Sequence, residues 1–135
     1  MPSSPRIDLI RSPELSERAP YAYAAVASDV SRLVFSAGAC PIDKDGCTVA
    51  VGRIREQTDR VMDNLEVALR AAGAELSDVV KTTIYVASND REDLHAAWGV
   101  VRKRFGDHEP PSTLVGVTAL GYRDQLVEVE VVAAQ

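Results

Sequence analysis

Near the end of the chain two glutamates, Glu128 and Glu130, stand two residues apart in a run, residues 125–133, that is apolar apart from them and Gln125. On a β-strand that spacing sends both carboxylates to one face. On a solvated face they are ordinary surface. On a face covered by another subunit, Glu128 could hold a proton or orient a water molecule, the work of a general acid–base group. The thiols offer less. Cys40 and Cys47 form no CxxC pair, and His95 and His108 lie apart from them and from each other, so no zinc spacing arises and no metal site is expected. Cys40, with no nearby histidine or cation, reads as a small buried hydrophobe rather than a nucleophile. Cys47 adjoins a turn glycine and reads as a partly exposed thiol.

These groups must be positioned by a chain of mixed helix and strand signals. Residues 54–73 carry the clearest helical period, with Ile54, Thr58, Val61, Met62, Leu65, Ala68, Leu69 and Ala72 on one face and Gly73 as the stop. A second helix starts after Asn89 or Asp90 as cap and carries an apolar stripe of Leu94, Ala97, Trp98, Val101 and Phe105. Strand signals fall at residues 7–10, 21–27, 33–39, 79–86, 113–118 and 125–133. Residues 28–32 suggest a hairpin between the second and third, and Asp45-Gly46 marks a tight turn. The fold class is therefore α+β: about six strands in one mixed sheet, with both helices on one face. Residues 33–39 carry no charge, and 79–86 carry only Lys81. A sheet with one wet face should alternate apolar with polar residues, so its second face is expected to be covered by self-association.

The 135 residues fit one domain, 1–135, with 46% hydrophobic and 26% charged residues. A net charge of −5 argues against nucleic acid as a partner. The densest basic run, Arg102-Lys103-Arg104, lies at the end of the second helix, where cations offset the helix dipole. No stretch approaches the ~20 apolar residues of a membrane span. The polar N-terminal stretch shows no secretory signal, so a cytoplasmic protein with reduced thiols is expected.

Ordered stretches along the chain resemble the Rid family, also called YjgF or endoribonuclease L-PSP. They are Ala19-Pro20-Tyr21-Ala22-Tyr23-Ala24, Phe35-Ser36-Ala37-Gly38-Ala39-Cys40-Pro41, Gln57-Thr58 with Asn64-Leu65, Ala71-Ala72-Gly73-Ala74, Asp78-Val79-Val80-Lys81-Thr82-Thr83-Ile84-Tyr85-Val86, and Leu126-Val127-Glu128-Val129-Glu130. The resemblance implies a chorismate-mutase-like fold, a homotrimer joined through its sheets, and small-molecule clefts at the subunit interfaces. It also implies hydrolysis of reactive enamines and imines, such as 2-aminoacrylate, without metal or cofactor.

Tyr21 and Glu128 match cleft positions of the family. Three other positions depart. The arginine that grips the substrate carboxylate in active members corresponds to Ser112, beside Thr113 at the start of a strand. A common serine is Ala37 here, and a common helix asparagine is Trp98, which also fits the core stripe. Arg123 is a candidate replacement cation; its other reading is an exposed turn arginine. The set implies a hydrolase or deaminase relative acting on a non-standard imine or carbonyl compound, with 2-aminoacrylate activity weak or absent. A non-catalytic metabolite-binding protein is the alternative, and a ribonuclease fits the acidic charge least.

Overall fold

The computed structural model describes residues 6–135. Residues 1–5, part of the polar N-terminal stretch, lie outside them. The elements run β1 (Arg6–Ile10), β2 (Ala24–Ser28), β3 (Leu33–Phe35), α1 (Ile54–Ala71), β4 (Val79–Val86), α2 (Arg91–Phe105), β5 (Ser112–Gly116) and β6 (Val127–Ala134). This is the α+β class with two helices that the pattern implies. The second helix is capped by Asp90, whose side chain accepts from the Glu92 amide.

The strands pair as a four-stranded mixed sheet in the order β3-β6-β4-β5 and a separate antiparallel ribbon of β1 and β2. Within the larger sheet only β4 and β5 run parallel. The hairpin expected over residues 28–32 does not form between β2 and β3. That segment is held by the end of the chain instead: the amides of Ser31 and Arg32 donate to the Gln135 carbonyl at 2.7 and 2.9 Å, and the Gln135 amide donates back to Arg32 at 2.9 Å. Asp29, at φ 57°, turns the chain away from β2 as it enters this contact.

β6 shows why the helices cover one face only. Val127, Val129, Val131 and Ala133 are buried, while Glu128, Glu130 and Val132 alternate with them on the other side. Against the buried set pack Val61, Met62, Leu65 and Leu69 of α1 and Ala97, Val101 and Phe105 of α2. Ala68, placed on the apolar stripe by its spacing, is exposed. Arg104 joins the helices, donating to Asp63 at 2.8 Å, to Glu66 at 2.5 Å and to the Asp59 carbonyl at 3.0 Å. One member of the basic run therefore ties two helices together.

The sheet's other face is open in the single chain. Phe35 is 71% exposed and Leu33 54% exposed there. It is also more polar than β3 and β4 alone suggest, because β6 adds Glu128 and Glu130 beside Lys81, Thr83 and Tyr85. Among the described residues no helix is long and apolar enough to cross a membrane.

Leu65 is fully buried at the centre of α1's packed face. Leu65→Ala should lower stability by about 2–5 kcal/mol through lost transfer energy and a residual cavity. Urea titration would show it as a lower midpoint at an unchanged slope.

Candidate functional site

The candidate residues gather in two places. The first is a cleft of about 550 Å³ lined by Pro20, Tyr21, His95, Trp98, Ser112, Thr113 and Leu114. Its wall is aromatic: Tyr21 meets Trp98 edge-on, with centroids 6.3 Å apart. The Ala22 amide donates to the Glu109 carbonyl at 3.0 Å, which docks the segment before β2 onto the loop between α2 and β5. Trp98 is half-buried and packs on the core with one side while lining the cleft with another. His95, which no spacing argument singled out, lies one turn before Trp98. Its i, i+3 relation to Trp98 is the signal that could have found it.

Ser112 opens β5 at this cleft, but its hydroxyl donates to the Pro110 carbonyl at 2.9 Å. Thr113 turns to the open sheet face and accepts from the Lys81 ammonium at 2.7 Å. Lys81 is thus the cation that the strand register brings next to this position, because Thr82 stands opposite Ser112. Arg123 is exposed on the loop before β6. Its carbonyl, not its side chain, is fixed, by the Thr48 hydroxyl at 2.7 Å.

The second place surrounds Glu128. Its Oε1 accepts from the Cys40 thiol at 3.1 Å and from the Gln125 amide at 3.2 Å. Gly38 lies beneath the carboxylate: a β-carbon there would stand 2.4 Å from Oε2, closer than real contacts allow. Two buried or half-buried amides of α1 hold the flanking segments. Gln57 donates to the Asp124 carbonyl at 3.0 Å and accepts from the Leu126 amide at 2.8 Å. Asn64 donates to the carbonyls of Cys40 and Ile42 at 2.8 and 3.0 Å. Their polarity in a helix stripe is the sequence signal for such a clamp.

Burial, and then the Glu128 carboxylate that accepts its hydrogen bond, push the Cys40 thiol up to about 11. The thiol form's contribution to stability is present below the ordinary cysteine range and fades as pH rises toward 11. Cys40 is therefore a hydrogen-bonding thiol rather than a bare hydrophobe, and Cys47 is exposed. Glu130 accepts from the Tyr85 hydroxyl at 2.6 Å, which raises the phenol's pKa, with burial as the smaller cause.

The two places do not converge in one chain. Glu128 stands opposite Tyr85, and Tyr85 opposite Val115, so Ser112 is two strands across and three residues along. At ordinary strand spacing and rise that separation is about 14 Å. Ala37 is exposed near the second place. Among the described residues no group of three or more histidine, cysteine, aspartate or glutamate side chains could hold a metal ion.

Two helices on one face of a mixed sheet define a small α+β fold. The family described as Endoribonuclease L-PSP matches residues 12–135. A RutC family protein of Pyrococcus abyssi is 38% identical over 104 residues, covering 77% of this chain and 80% of its own. The Rid family protein YyfB from Yersinia pestis superposes with a TM-score of 0.88 at 26% identity, covering 96% of this chain and 98% of that one. Escherichia coli TdcF, solved with bound serine, superposes at 0.68 and 25% identity, covering 87% and 89%. The chain belongs to the YjgF/Rid family.

Iodoacetamide at pH 8 should label Cys47 at least about tenfold faster than Cys40, because the thiolate is the nucleophile and Cys40 holds its proton. Peptide-resolved mass spectrometry reads the ratio.

Proposed function

We propose that this chain is a cytoplasmic, single-domain homotrimer with small-molecule clefts between its subunits, and that it hydrolyses a non-standard imine or related carbonyl compound. In this reading 2-aminoacrylate deamination is weak or absent. The observation that carries it is the state of Ser112. At the position of the family's arginine stands a hydroxyl already committed to the Pro110 carbonyl. Losing a charge-assisted bond costs about 1.5–3 kcal/mol. Lys81, one strand away on Thr113, leaves a weak cationic field near the cleft rather than a bidentate grip.

Assembly through the open sheet face is supported by the exposure of Phe35 and Leu33 there. It is supported also by the roughly 14 Å that separate the Ser112 cleft from Glu128 within one chain. A neighbouring subunit would bring the missing half of each site. In that setting Tyr21 and His95 supply donors, Trp98 an apolar wall, and Glu128 the acid–base group. Ala37 and Trp98 make the cleft less polar than a serine and an asparagine would, which favours a ligand without a free carboxylate.

Binding without turnover is the second reading, favoured by the serine held in the TdcF structure. A ribonuclease is disfavoured by the net charge of −5.

Light scattering at micromolar concentration should give three times the 14.6 kDa of one chain. A monomer would remove the interface cleft from the proposal.

With 2-aminoacrylate generated by a serine dehydratase, wild-type protein should speed pyruvate release little or not at all. Ser112→Arg should raise kcat/KM by about tenfold or more, the value of one charge-assisted bond. Clear acceleration by the wild type would overturn the altered specificity. No gain in the variant would place the deficit in Ala37 and Trp98 as well.

A further inference from the structure

We propose that Cys40 and Gln125 are positioning residues for Glu128, fixing its carboxylate so that a single oxygen, Oε2, faces the ligand. The proposal rests on the role given to Glu128 above.

A stretch distant in sequence, residues 38–40, and the loop just before β6 converge on this one side chain. The thiol of Cys40 and the amide of Gln125 both donate to Oε1, at 3.1 and 3.2 Å. Two donors on one oxygen fix the carboxylate's plane as well as its place. Both donors are held in place, although the Cys40 sulfur also lies 3.3 Å from the Gly38 carbonyl, a longer alternative to the 3.1 Å contact with Glu128. Gln125 is 4% exposed; its nitrogen also donates to the Val127 carbonyl at 3.1 Å, and its oxygen accepts from the Tyr122 amide at 3.0 Å. Cys40 sits on a stretch whose carbonyls Asn64 holds.

The stretch that carries Cys40 also contributes a missing atom. A β-carbon on residue 38 would lie 2.4 Å from Oε2 and 2.5 Å from the carboxyl carbon, so only glycine leaves this seat open. Oε2 has no hydrogen-bond partner among the described residues, and it is not among their sealed, unpartnered atoms. The groups facing this carboxylate are Cys40 on the 38–40 stretch, Tyr85 opposite on β4, and Glu130 two residues on.

A valine or isoleucine at residue 40 would pack as well as cysteine but donate nothing. A reactive cysteine would need its thiolate at neutral pH, whereas this thiol keeps its proton and donates a hydrogen bond to the carboxylate. Hydrogen-bond donation to Glu128 is the property that accounts for cysteine at this place. Serine keeps that property and valine removes it.

The test compares wild type with Cys40→Val and Cys40→Ser. Crystal structures should show Glu128 in one conformer over Gly38 in wild type and Cys40→Ser, and displaced or divided among conformers in Cys40→Val. For any imine the wild type turns over, kcat should fall about tenfold in Cys40→Val with KM little changed, and Cys40→Ser should recover most of it. Independently of turnover, Glu128→Gln should speed iodoacetamide labelling of Cys40 at pH 8 at least about tenfold while leaving Cys47 unchanged, because the anionic acceptor is gone. An undisturbed Glu128 in Cys40→Val, or an unchanged Cys40 labelling rate, would overturn the proposal. A displaced Glu128 with unchanged kcat would uphold the positioning and overturn instead the acid–base role assigned to Glu128.

Discussion

β6 lies between β3 and β4, and its two-residue alternation sorts the whole molecule into a sealed side and a chemical side. Val127, Val129, Val131 and Ala133 close the core beneath both helices. Glu128 and Glu130 necessarily emerge on the opposite face. A one-residue slip would drive both carboxylates into the apolar interior, where unpaired charge costs several kcal/mol. The register that stabilises the fold is therefore the register that presents these two carboxylates. Core and site cannot be varied independently along this strand.

The helix behind the sheet is joined to the same chemistry. α1 is not uniformly apolar on its packed face: Gln57 is completely buried, and both ends of its amide are paired to the loop that leads into β6. Asn64 does the same for the stretch that carries Cys40. Buried amides are tolerated only when satisfied, so these contacts hold the loops in one arrangement. The seat under Glu128 follows from them, since Gln125 and Cys40 sit on the two segments that α1 grips.

Membership of the YjgF/Rid family accounts for the architecture, and the departures within it shape the cleft. Trp98 is the clearest case. Its position in the helical stripe reads as core, and it does pack on the core; its other side is cleft wall against Tyr21. A residue can serve both because α2 lies beside the edge strand β5, where core ends and cleft begins. Ser112, at the start of that edge strand, satisfies its hydroxyl locally on the Pro110 carbonyl.

Much was legible in the residues themselves. The 3.6-residue period of α1, the β-branched run of β4 and the paired spacing of Glu128 and Glu130 are local signals, and local sterics read them directly. The ordered family stretches likewise identified the family. What the tertiary structure decided is what depends on contacts between residues far apart in the chain. Nothing local joins Cys40 to Glu128, across 88 residues, or makes Gly38 the one residue that leaves room for a carboxylate. Nothing local brings His95 to Tyr21, or Lys81 to Thr113. The second and third strand signals failed to become a hairpin for the same reason: hydrogen bonds to Gln135, at the far end of the chain, captured the turn between them. Periodicity says which way a side chain points along its own element, and only packing says what it meets there.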